Sequence, residues 1–224
     1  MEENFKNENT DWKRLFQIGG VSALISAAII PISIAAFFVW PLFPDDIFTV
    51  IQSDRLAGLM GLDFLYFVGS FLAIPLYLCL YVTLRNTSET FSVLALVLGF
   101  LGLVSLIPAR PIFEMLSLSD QYAIATSESQ KAEIMAAGRA TLAMFHGTAF
   151  NVHYVFGTTS LLISSVLMLD SQIFSKAIAY VGIITNALVF TYYVPEIGVY
   201  LSLISVVGYL IWWLLIAKKF LQIG

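Results

Sequence analysis

Residues 58–84 read GLMGLDFLYFVGSFLAIPLYLCLYVTL, and Asp63 is the only formally charged side chain in the run. At about 1.5 Å of helix per residue, the segment reaches across the roughly 30 Å hydrocarbon layer of a bilayer. Inside that layer no water is present to bond the backbone, so a stretch of this kind crosses as an α-helix.

Five further apolar runs lie on either side of it, at 16–39, 91–107, 141–169, 177–194 and 197–217. Proline and polar residues punctuate the gaps: WPLFPDD at 40–46, RNTSE at 85–89, PARP at 108–111, DSQ at 170–172 and a bare Pro-Glu at 195–196. These residues break helices or end them. The expected fold class is therefore all-α, a polytopic transmembrane helical bundle of about six spans. The last two spans are separated by only two residues.

Composition agrees, with 59% apolar and 12% charged residues and a mean hydropathy of +0.87. A water-facing surface cannot be built from that mixture. The formal charge is only −4 and the basic residues form no cluster, which excludes the electrostatic footprint of a nucleic-acid binder. Cys79 is the single cysteine, so an intrachain disulfide and a cysteine zinc cluster are both excluded. Within its apolar run it reads as a small hydrophobe.

With six spans both termini share a side. That side collects Lys6, Lys13, Arg14, Arg85, Lys176, Lys218 and Lys219, against Arg55, Arg110, Lys131 and Arg139 on the other. Basic residues flanking spans favour the cytoplasm, so both termini are expected there. The chain divides into a cytoplasmic tail, 1–14, and one transmembrane helical domain, 15–224, with a helical outer loop at about 109–140. In that loop Pro111 opens a helix reaching Ala125, and Ser127 with Gln130 gives the capping-box start of a second.

An ionisable group in hydrocarbon costs several kcal/mol, so each one marks a candidate site. Asp63 falls one to two turns into the second span, His146 one turn into the fourth and His153 near its middle, with Asn151 beside them; Asn186 lies in the fifth. Arg110, Glu114 and Glu196 stand at span ends. Depth places Asp63, Arg110, Glu114, His146 and Glu196 in the outer half, around a polar cavity floored by apolar side chains. The candidate ligand-binding set is Asp63, Arg110, Glu114, His146, Asn151, His153 and Glu196. Asp63 has a structural alternative, an ion pair with Arg55 or Arg110. On a continuous helix His146 and His153 share a face but sit about 10 Å apart, too far to ligate one metal. No metal site and no cofactor is assigned.

Three segments carry a resemblance: Asp54-Arg55-Leu56-Ala57-Gly58 with Asp63, Phe113-Glu114-Met115-Leu116 with the Ser119–Ala123 stretch, and Gly147-Thr148-Ala149-Phe150-Asn151. Together they resemble a family of bacterial multi-pass integral membrane proteins catalogued as a domain of unknown function. The resemblance runs from about residue 15 to the end. It implies a bacterial inner-membrane protein and supplies no activity.

Three function classes remain open on sequence. The leading one is a non-enzymatic protein that binds a small amphipathic or anionic ligand, or a lipid, in the outer cavity, with Arg110 as anion anchor and a proton-linked transport variant. The second is a metal-dependent intramembrane hydrolase using Asp63, His146 and His153. The third is an accessory subunit that associates with itself or with a partner membrane protein.

Overall fold

The computed structural model describes residues 12–40, 42 and 46–224. Most of the tail, with Lys6, and the prolines at 41 and 44 lie outside the described residues.

The described chain is helical and contains no strand. We number its helices α1 Lys13–Val39, α2 Ile47–Ser53, α3 Arg55–Gly61, α4 Phe64–Phe71, α5 Ala73–Leu84, α6 Glu89–Ala109, α7 Ile112–Ile124, α8 Glu128–Ala143, α9 Thr148–Leu167, α10 Lys176–Phe190 and α11 Gly198–Ile223. Short 3-10 turns, Met144–His146 and Thr191–Tyr193, precede α9 and follow α10. Five helical segments are long and apolar enough to cross a membrane: α1, the α4–α5 pair, the α6–α7 pair, the α8–α9 pair and α11. The protein is a helical membrane protein.

Six helices close a ring. Each packs against its neighbours in the order α1, α5, α6, α9, α10, α11 and back to α1. Small residues bring the helices close. A Cβ on Gly102 of α6 would lie 3.0 Å from the Gly157 backbone nitrogen of α9. Close approach of this kind is how helices associate where lipid competes for every apolar contact. Ser160 of α9 adds a hydrogen bond to the Ala95 carbonyl of α6.

Two apolar cores stand at opposite ends of the long helices. One gathers Phe16, Cys79, Leu80, Leu84, Trp212, Ile216 and Phe220, from the start of α1 and the ends of α5 and α11. Cys79 is 0% exposed and its thiol donates to the Leu15 carbonyl. A maleimide should therefore leave the folded protein unlabelled and label it fully in hot dodecyl sulfate; rapid labelling in mild detergent would contradict the packing.

The second core belongs to a cap built from α2, α3, α7 and α8. Ile47, Phe48, Ile51, Leu62, Ile112, Met115 and Phe145 form it. Asp54 caps α3 by accepting from the Leu56 and Ala57 amides, and Ser127 caps α8 by accepting from the Gln130 amide. Gln130 Oε1 accepts from the Thr126 amide, one residue beyond the expected box partner, Ser127.

Two sequence expectations change here. The second span is not one helix, because Asp63 adopts φ 60°, ψ 37° between α3 and α4. The fourth is interrupted at Gly147, which is extended at φ −76°, ψ −168°. His146 therefore sits in a 3-10 turn ahead of α9, and the premise that both histidines lie on one helical face fails.

Candidate functional site at the junction of cap and bundle

Arg110 lies between α6 and α7: Pro108 sits inside the last turn of α6, while Pro111 keeps the residue before it out of helical geometry and stands at the N-cap of α7. It is 5% exposed. Its Nε and Nη2 donate to one carboxylate oxygen of Asp63 at 3.3 and 3.0 Å. Its Nη1 donates to the Ala109 and Phe145 carbonyls, each at 3.1 Å. Four of the five guanidinium N–H groups are thus engaged by the protein. Three rings surround the cation, with Tyr66 and Phe145 centroids 5.3 Å from Cζ and Phe150 at 5.0 Å.

The arrangement explains the break at Asp63. A left-handed backbone is costly for most L residues and mildest for Asp and Asn. At that turn the carboxylate meets Arg110, 47 residues on. Of the two partners expected for Asp63, Arg110 is the one found. Arg55 instead lies 3.6 Å from Asp120 on the exposed surface.

A second polar chain starts at Tyr66. His153 Nδ1 lies 2.9 Å from the Gly102 carbonyl, which only accepts, so that nitrogen carries the proton. Nε2 is then the acceptor for the Tyr66 hydroxyl at 2.7 Å. Both ring nitrogens of His153 are thereby occupied, and α4, α6 and α9 are joined. Asn151 donates to the His146 and Gly147 carbonyls and accepts from the Tyr193 hydroxyl at 2.9 Å. The His146 ring meets Phe150 edge-on at 5.8 Å.

The candidate residues therefore separate into groups. Asp63 and Arg110 form an ion pair; Phe150 links that pair to His146, and Tyr66 links it to His153. Asn151 ties the start of α9 to the α10–α11 connection, while Asn186 is buried between Tyr209 and the Gly182 carbonyl. Glu196, exposed and at φ 68°, makes no hydrogen bond or ion pair with any of them among the described residues. Also among the described residues, no three His, Cys, Asp or Glu side chains gather as a metal site would require.

Glu114 has a different setting. It borders a cavity of about 340 Å³ lined by Ile107, Pro108, Pro111, Glu114, Thr141 and Met144, between the end of α6, the first turn of α7 and the last of α8. Ile107 also lines a smaller apolar hollow of about 90 Å³, formed with Ser70, Phe71, Ile74, Phe100, Leu103 and Val104. The lining residues of α6 recur at helical spacing, so the two hollows follow one face of that helix.

Sequence reasoning missed Tyr66, Phe145 and Phe150 around Arg110, and Ile107, Thr141 and Met144 in the cavity. Tyr66 lies one turn beyond Asp63 and Phe145 adjoins His146, placements that by themselves do not set these rings apart from the chain's many others. No curated protein and no solved structure matches this chain. Residues 15–217 match a family described as a domain of unknown function, which covers the cap, the ring and every residue of the junction, and the chain belongs to that family, DUF4386.

Proposed function

We propose that this is a six-span inner-membrane protein that binds a small amphipathic molecule in the groove at the junction of cap and bundle. The observation that carries the reading is the pair of hollows sharing Ile107, a wider one with a carboxylate and a hydroxyl on its lining and a narrow apolar one beside it. A head and a chain have that shape.

The span beyond those five is α10, the fifth in chain order. Its 15 residues and the 3-10 turn after it extend roughly 28 Å, and it packs between α9 and α11 as a full member of the ring. Six spans put both termini on one side, and the basic residues flanking them favour the cytoplasm. The cap then stands outside, over the mouth of the groove.

Arg110 supports an amphipathic ligand better than a purely anionic one. A free anion would have to displace Asp63 or two carbonyls from the guanidinium, because most of its donors are already bonded. In this reading Arg110 and Asp63 hold the wall of the site. The hydrolase alternative finds less support, since both nitrogens of His153 are bonded within the protein.

Native mass spectrometry of protein extracted gently from its own membrane tests the reading. One equivalent of a retained amphiphile is expected on the wild-type chain. Ile107→Trp, which fills the point shared by both hollows, should remove it. A wild-type chain that emerges without any organic adduct, under conditions that keep it folded, would count against the proposal.

A further inference from the structure

The geometry points to a ligand with a positively charged head and a single hydrocarbon chain, an alkylammonium-type amphiphile whose cation meets Glu114. This rests on the amphiphile-binding reading above and specifies its ligand.

The argument begins with the charges around the cavity. Arg110, the nearest basic residue in sequence, is neutralised by Asp63 at 3.0 Å. Lys131 of α8 pairs with Glu128 at 3.3 Å, and Arg55 lies against Asp120. Arg139 is two residues before Thr141, which on an α-helix places it about 200° around α8 from the cavity wall. Among the described residues Glu114 has no ion-pair partner, so the one formal charge on the lining is negative, offset only in part by the positive end of α7, in whose first turn it stands.

The remaining polar group on the wall is also an acceptor. Thr141 spends its hydroxyl proton on the Ala137 carbonyl at 2.9 Å, which leaves its lone pairs for a donor from the ligand. Pro108 and Pro111 have no backbone N–H to offer an anion. A carboxylate, an accepting hydroxyl and two prolines suit a cation and oppose a sulfate, phosphate or carboxylate head.

The chain site is set by the smaller hollow. Phe100, Leu103, Val104 and Ile107 span about 10 Å along α6, enough for a single extended alkyl chain of about eight carbons. The hollow runs between α6 and Ser70, Phe71 and Ile74, a single line along one helix face that one extended chain can follow.

The test uses the full chain in maltoside micelles, titrated calorimetrically with decyltrimethylammonium and with decyl sulfate, each below its own micelle concentration. Wild-type protein should bind one equivalent of the ammonium at least about fivefold more tightly than the sulfate, the scale of one partly solvated charge-assisted contact. Glu114→Gln, a near-isosteric change at an exposed position, should erase that preference. Val104→Trp should weaken both probes by filling the chain hollow. Equal binding of both probes, unchanged in Glu114→Gln but lost in Val104→Trp, would overturn the ammonium head while leaving the amphiphile reading standing. Binding of neither probe by folded wild-type protein would overturn both.

Discussion

Arg110→Met is expected to destabilise the protein by about 3–5 kcal/mol, seen as a large fall in the thermal midpoint in mild detergent. The change removes the partner of a carboxylate whose side chain is only 11% exposed. It also releases the Ala109 and Phe145 carbonyls and takes the cation from among three aromatic rings. An unpaired buried charge is the costliest of these losses.

Pairing the change with Asp63→Asn separates charge from packing. Asn accepts the left-handed backbone that residue 63 adopts and carries no charge, so the double variant should regain more than half of the lost stability. A double variant as unstable as Arg110→Met alone would assign the effect to the rings and the carbonyls. Either way the variant reports on how firmly the cap is tied to the bundle. Asp63 begins α4, while Arg110 connects α6 to α7.

The five long apolar helical segments were legible in the sequence because the bilayer imposes length and apolarity on every crossing helix. The runs at 16–39 and 91–107 fall within α1 and α6 with only the ends extended. The loop at 109–140 yielded its two helices through Pro111 and the Ser127 cap, which are local signals. Hydropathy could not reveal the breaks at Asp63 and Gly147. Both lie in apolar sequence, and both are fixed by partners remote in the chain or by backbone geometry at one residue. The helix at Ile47–Ser53 was hidden for a related reason, since it is one short element whose apolar face fits only the cap core.

The site was legible in its charged members and obscure in its aromatic ones. Asp63 and Arg110 were conspicuous because charge is rare in such sequence. Tyr66, Phe145 and Phe150 were not, because aromatic residues make up 14% of the chain and nothing in spacing distinguishes a ring over a guanidinium from a ring against lipid. Glu114 was grouped with Arg110 by proximity in sequence. The turn at Arg110 and Pro111 directs the two into different surroundings, one sealed and one open.

Gly102→Leu should prove as damaging as the loss of Arg110, for a reason unconnected with charge. At this position a Cβ would meet the Gly157 nitrogen at 3.0 Å, the His153 carbonyl oxygen at 3.3 Å and the Gly157 Cα at 3.4 Å. All three are backbone atoms, so no side chain can swing aside and the helices themselves must separate. Separation would also break the hydrogen bond from His153 Nδ1 to the Gly102 carbonyl, and with it the support for the Tyr66 hydroxyl. Overpacking and the lost bond together amount to about 3 kcal/mol or more. Gly102→Ala should cost less, since one methyl asks the helices to move by only a few tenths of an ångström. Val97→Leu, on the same helix at a position 47% exposed, supplies the control and should melt with the wild type. If Gly102→Leu also melts with the wild type, the α6–α9 contact is looser than the backbone distances require, and the chain from Tyr66 through His153 to Gly102 loses its claim to hold α4, α6 and α9 together.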